Sequence, residues 1–207
     1  MKLKDRVAIL TAAAGAGIGQ TAARMLARDG ARIIVTDIHE ERFVQAAQAI
    51  RDEYGVETLG IKCDVTNIED VKNVVEMTLK KFGRIDILLY NAGTNRPSQI
   101  ADMSDEVWNL VIDTSLKGTF YCTRAVLPVM IEKKQGRIVN ITSVAGFRGL
   151  GGGHAHYAAA KAGVMAFTRC LAMGAAPYHI TANTIAPSFI YNLQVNKISC
   201  KDSIELF

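Results

Sequence analysis

Cysteine is scarce in this 207-residue chain, and the four present, Cys63, Cys122, Cys170 and Cys200, lie far apart with no Cys-x-x-Cys pair. That spacing argues against a disulfide framework or a zinc site and suits the thiols of a reducing compartment. Long apolar runs are also missing; none approaches the ~18 residues that a membrane span needs. No Lys/Arg block occurs, and 24 basic against 20 acidic residues leave a net +4 scattered along the chain, a poor footing for nucleic acid or a membrane surface. Internal repeats, linkers and low-complexity tracts are lacking as well. Residues 1–190 therefore read as a single domain, with 191–207 a tail of different character.

The composition present is a globular balance of 49% hydrophobic and 21% charged residues. Short apolar runs alternate with helix-period segments from end to end. Strands are expected over 7–11, 32–37, 58–62, 85–90, 137–141 and 180–185. These runs are apolar on both faces, as parallel strands covered by helices on each side must be. The alternation predicts an α/β fold, a three-layer doubly wound (Rossmann-type) parallel sheet. Among helix starts, Thr66 with Glu69 suggests a capping box, and Ser104 before Asp105 and Glu106 places a cap ahead of first-turn acids. Lys2, Lys4 and Arg6 before the apolar run imitate a secretory signal. The glycine-rich stretch after that run completes a nucleotide-binding unit, so a buried first strand and a cytoplasmic protein are expected.

The first strand runs into Thr11-Ala12-Ala13-Ala14-Gly15-Ala16-Gly17-Ile18-Gly19, with a helix behind it. Glycines there let a pyrophosphate approach backbone N–H groups at a helix N-terminus. The second strand ends in Asp37, an acid placed to accept hydrogen bonds from an adenosine ribose and to repel a 2′-phosphate, which favours NAD over NADP.

With these pieces in place the sequence resembles the short-chain dehydrogenase/reductase family, up to about Pro187. Gly17, Ile18 and Gly19 match the end of the family's Thr-Gly-x-x-x-Gly-x-Gly loop. Its first glycine is replaced by Ala12 or Ala13, and the loop is one residue longer. The resemblance implies that Gly15, Gly17, Ile18 and Gly19 cradle phosphates, that Asp64-Val65 lies at the adenine, and that Asn91-Ala92-Gly93 lines the cofactor ribose. Tyr90 stands in the first place of the family's Asn-Asn-Ala-Gly. Pro187-Ser188 replaces its Pro-Gly near the cofactor, and Asn192 lies near its cofactor-contacting threonine.

The chemical signature is Ser143 followed by Tyr157-Ala-Ala-Ala-Lys161. Helical spacing puts residues four apart on one face. A phenol near pKa 10 is a sluggish base at neutral pH, and a nearby ammonium lowers that value. Tyr157 is then the expected acid/base for a secondary alcohol or ketone, with Ser143 orienting the substrate oxygen. The resemblance implies that Lys161 also grips the nicotinamide ribose, and that Ser115 stands where the family's asparagine holds a water in a proton relay. It further implies a homo-oligomer and either a small alcohol/ketone substrate or, in 3-oxoacyl reductase fashion, an acyl thioester. Family members continue for several dozen residues past Pro187, whereas the tail through Leu193, Val195, Ile198 and Phe207 shows no family pattern. The expectation is a sheet without its usual seventh strand and a site without its lid, with a catalytically weak cofactor-binding relic as the rival to an enzyme. His154 and His156 have no accompanying ligands, so no metal site is expected; they are placed instead at the rim of the substrate pocket. Met103 and Trp108 are expected to pack.

Overall fold

A computed structural model describes residues 1–190. The expectations for Asn192, the tail, the seventh strand and the lid lie outside the described residues. Six strands, β1 (Val7–Leu10), β2 (Arg32–Asp37), β3 (Thr58–Lys62), β4 (Ile87–Tyr90), β5 (Gly136–Ile141) and β6 (Ile180–Ile185), form one parallel sheet in the order β3-β2-β1-β4-β5-β6. The helices are α1 (Ile18–Arg28), α2 (Glu40–Tyr54), α3 (Ile68–Phe82), α4 (Asp105–Ile112), α5 (Gly118–Glu132), the short α6 (Ala145–Arg148) and α7 (Ala155–Ala175).

β1, β2 and β4 lack polar alternation because each feeds two cores, whereas β6 alternates buried Ile180 and Ala182 with exposed Thr181 and Asn183. Val7 and Ile9 of β1, Ile34 of β2 and Leu88 of β4 pack into one apolar cluster. Their neighbours Ala8, Leu10, Ile33, Val35, Ile87 and Leu89 pack into another. Successive side chains point to opposite faces, so a strand sandwiched between helix layers must be apolar throughout. The strand order reverses between β1 and β4, and in sheets of this kind ligands bind at the carboxyl ends of the strands flanking that switch.

Two local expectations are corrected. The cap of α3 is Asn67, whose Oδ1 accepts from the backbone of Glu69 at 2.9 Å and Asp70 at 3.4 Å. Thr66 is drawn away from that task, because its Oγ1 and N both donate to Asp64 Oδ1. Trp108 keeps 42% of its surface exposed; with Ile100, Met103, Asp105 and Ala155 it lines an open cavity of about 190 Å³. Ser104 does cap α4, accepting from Val107 N at 3.3 Å.

Candidate active site

The glycine loop leaves β1 at its carboxyl end and is stapled to the turn after β4. Thr11 Oγ1 accepts from the backbone N–H of Asn91 at 2.9 Å and of Ala92 at 3.0 Å. In return Asn91 Nδ2 donates to the carbonyls of Ala12 at 3.0 Å and Thr11 at 3.3 Å. Of Ala12 and Ala13, the one that takes a left-handed backbone is Ala12, at φ +48°. Gly17 follows at φ 150°, ψ −160°, and turns the chain into α1. A Cβ on Gly19 would sit 2.7 Å from Asn91 Nδ2. Unlike α3 and α4, α1 starts with neither a side-chain cap nor an acid in its first turn. Its leading N–H groups are thus open to an anionic acceptor. Gly15 lies in the bend just before, and Ile18 opens the helix.

Two acids end the neighbouring strands on the same side. Asp37 closes β2 half-buried, with Oδ1 accepting from His39 N at 3.1 Å. Asp64 follows β3 and is held from two sides: its Oδ1 takes both donors of Thr66, and its backbone N–H donates to Asp70 Oδ2 at 2.9 Å. The adjacent Val65 is buried.

Beyond the switch, Ser143 follows β5 with its Oγ accepting from Ala145 N at 3.2 Å. The next residue, Val144, donates its N–H to the Pro187 carbonyl at 3.0 Å, which draws the segment after β6 against this turn. Tyr157 occupies the first turn of α7, half-buried, and Lys161 one turn later is only 3% exposed. Lys161 Nζ lies 5.6 Å from the Tyr157 ring centroid and donates to the Ile141 carbonyl at 2.9 Å. Ser115 is fully buried in a five-residue π turn, Asp113–Lys117, between α4 and α5, and its hydroxyl has no partner among the described residues. A Cβ on Gly93 would fall 3.2 Å from Lys161 Nζ and 3.6 Å from Ser115 Oγ. Turn, lysine and serine therefore meet at one point.

The electrostatics differ from expectation. Burial raises the Tyr157 phenol above its usual value, and the Ser143 hydroxyl bonded to it offsets this only in part. Burial also lowers Lys161 to about 8. In the protein alone the ammonium is directed at Ile141 and does not bring the phenol down.

His156 is corrected from pocket rim to core: it is fully buried, with Nε2 3.0 Å from the Arg96 carbonyl. Its neighbour His154 faces Asn95 Nδ2 at 2.8 Å. Together with Ser98 N donating to Gly153 O at 2.9 Å, these contacts seam the turn after β4 to the approach to α7. No cluster of possible metal ligands occurs among the described residues. Nor is any helix among them long and apolar enough to cross a membrane. Thr11 and Tyr90 are the contributors to which sequence reading assigns no role. Both act on residues far away in sequence, so no local spacing marks them.

Comparison with known proteins agrees with this architecture. The short chain dehydrogenase family model matches residues 6–201. A 3-oxoacyl-[acyl-carrier-protein] reductase of Synechocystis sp. is 41% identical over 188 residues, covering 91% of this chain and 75% of that protein. A bicyclic indene-carboxyl-CoA reductase of Mycobacterium tuberculosis is 37% identical over 204 residues, covering 98% and 78%. Among solved structures, an NAD⁺-bound xylitol dehydrogenase superposes with a TM-score of 0.88 at 34% identity, covering 93% of this chain and 73% of that one. A short chain dehydrogenase from Mycobacterium smegmatis gives 0.87 at 39%, covering 92% and 79%. With the 3-2-1-4-5-6 sheet, the glycine loop at its switch and the Ser-Tyr-Lys set beside it, the chain belongs to the short-chain dehydrogenase family and is an oxidoreductase of that kind.

Proposed function

We propose that the protein moves hydride between a bound nicotinamide dinucleotide, NAD in preference to NADP, and a secondary alcohol or its ketone. The observation that carries this reading is the convergence of Tyr157, Ser143 and Lys161 at the carboxyl end of the sheet beside the β1–β4 switch. The chain's own features fit such a cofactor. Gly19 lets the start of α1 close against Asn91 Nδ2 and the Ala12 carbonyl, and Gly93 lets its turn close against Lys161 Nζ and Ser115 Oγ. The buried Ser115 hydroxyl, without a protein partner among the described residues, sits where a water or ligand group must satisfy it. Gly15, Gly17, Ile18 and Gly19 would hold the pyrophosphate, and Asp37 the adenosine ribose. Asp64 and Val65 would hold the adenine. Asn91, Ala92, Gly93, Tyr157, Lys161 and Pro187 would hold the nicotinamide end.

Bound there, the dinucleotide supplies or accepts the hydride and, when oxidised, adds a positive charge to the site. In reduction, the Tyr157 O–H gives its proton to the carbonyl oxygen as the carbon gains hydride, leaving alcohol and phenolate. In oxidation, the phenolate takes the alcohol's proton as hydride departs. Ser143 donates to the same oxygen and keeps it within reach of the phenol. Lys161 would hold the nicotinamide ribose and, once turned toward it from the Ile141 carbonyl, would favour the phenolate by charge, and Ser115 with a water would return the proton toward solvent. Asp37 would disfavour a 2′-phosphate by like-charge repulsion. Acyl thioesters are the substrate class named for both curated relatives above, which favours a 3-oxoacyl or 3-hydroxyacyl thioester as the particular ketone or alcohol.

The test is a fluorescence titration with NADH and NADPH, followed by turnover of acetoacetyl-CoA and of simple ketones. NADH should bind at least about tenfold more tightly than NADPH. Tyr157→Phe gives up one contact to the nicotinamide end, so NADH should still bind, weakened by no more than about fivefold, while turnover falls by about 10²–10⁴-fold. Binding with no turnover on any substrate sinks the enzyme reading in favour of a relic; no binding sinks both.

A further inference from the structure

Two positions at which this chain departs from the family's asparagines, Tyr90 and Ser115, are linked through one turn of backbone. Tyr90 ends β4, is 1% exposed, and its hydroxyl donates to the carbonyl of Thr114. Thr114 lies inside the π turn that carries Ser115. Such a turn widens the helical ring, as the Gly118 N–H bonding to the Asp113 carbonyl five residues back shows. The carbonyls it puts out of step with the i→i−4 ladder need other donors when buried.

Two hydroxyls supply them here. Tyr90 serves Thr114, and Thr119 Oγ1 donates to the Ser115 carbonyl at 2.6 Å. Burial holds the Tyr90 phenol protonated well above its usual titration range, so it remains a donor. Gly118 makes the approach possible, because a Cβ there would overlap the Tyr90 hydroxyl and come within 3.0 Å of Val65 Cγ2. The extra residue in the turn rotates the succeeding helix by about 100° relative to a regular α-helix. Ser115, inside the turn, has its Oγ 3.6 Å from where a Gly93 Cβ would stand, with Lys161 Nζ 3.2 Å from the same point.

We propose that Tyr90 is a positioning residue: by holding the Thr114 carbonyl, its hydroxyl maintains the π turn that presents Ser115 Oγ to the Lys161 end of the site. The functional half of this statement rests on the relay role proposed for Ser115; the structural half does not.

Tyr90→Phe keeps the ring and removes the hydroxyl. Amide hydrogen exchange read residue by residue should quicken about tenfold or more over residues 113–119 and stay unchanged in β1 and β2. With acetoacetyl-CoA, kcat should fall about tenfold at unchanged KM, and NADH affinity should stay within about twofold. The double variant Tyr90→Phe/Ser115→Ala should be no slower than Ser115→Ala alone, because one change acts through the other. Unchanged exchange in residues 113–119, or losses that multiply in the double variant, would overturn the proposal. Gly118→Ala provides an independent check should Tyr90→Phe unfold. It displaces the hydroxyl with the phenol retained and must give the same local exchange pattern; normal exchange there overturns the proposal. If no substrate turns over, the relay reading falls while the exchange data still decide the role of Tyr90.

Discussion

Ala12 carries a backbone conformation that an L-residue adopts at a cost of about 1–2 kcal/mol, since its φ is +48°. The Asn91 amide that donates to Thr11 and Ala12 is what holds it there. Ala12→Gly removes the strain but adds chain entropy to the unfolded state, worth about 0.4–1 kcal/mol. The net gain should be a little under 1 kcal/mol, a rise in Tm of about 2–3 °C, measurable by thermal melts without cofactor. Lys161 is a second residue held at a cost. Burial lowers it from the usual 10.5 to about 8, so between those values the unfolded chain binds the proton that the folded one has released. Stability should therefore rise with pH through that window, and below about pH 8 the full penalty, of order 3 kcal/mol, is in force. Lys161→Met retains the stem and removes the charge, but leaves the Ile141 carbonyl without its donor. The cofactor-free variant should be about 1–2 kcal/mol more stable at pH 7 in urea titrations. It should lack the alkaline rise and turn over nothing. A wild-type stability curve that is flat from pH 8 to 10.5 would contradict this account of the buried ammonium.

At the scale of elements, the strands are legible in the sequence because burial on both faces leaves a run such as Ile33, Ile34 and Val35 no polar alternative. Their ends are less so: β4 begins at Ile87 and not at residue 85, although the Asp86 backbone still donates to Val7 O and accepts from Arg137 N. The Ser143, Tyr157 and Lys161 set can be read from spacing and order, because one helical turn separates the last two and a strand end presents the first. The π turn cannot be read. Residues 113–117 look like helix continuing from α4, and the group that makes them otherwise is a hydroxyl from Tyr90, 24 residues upstream of Thr114. The burial of His156 escapes the sequence for the same reason: its partner is the Arg96 carbonyl, 60 residues away. Local pattern specifies elements, whereas long-range hydrogen bonds decide how they are offset against one another.

Across the whole molecule the two ends of the sheet do different work. The carboxyl ends hold the candidate site, and the opposite end is closed by one buried carboxylate. Asp86 accepts from Val7 N at 2.9 Å, from Arg6 at 3.0 Å and from Arg84 Nε at 2.8 Å, while Arg6 continues to Gln135 Oε1 at 2.6 Å. One side chain thereby joins the starts of β1 and β4 to the segment entering β5. Burial pushes the Asp86 carboxyl up, but the hydrogen bonds from Arg84, Val7 and Arg6 outweigh it and hold it below the usual range. A carboxyl held down in this way contributes stability above its unfolded value near 3.9 and loses it as pH falls through the lower folded value. Removing one partner of a buried pair costs about 3–5 kcal/mol. Arg6 and Arg84 keep about a third of their side-chain surface in water, which reduces the charge left stranded. Asp86→Asn should therefore cost about 2–3 kcal/mol at pH 7, and the difference from wild type should shrink toward zero as both are acidified through the lowered folded value of Asp86. Because the site lies at the far ends of the strands, NADH affinity of the folded variant should match wild type within about twofold. A variant equally stable at pH 7, or one whose NADH binding falls in step with stability, would mean that the two ends are not independent.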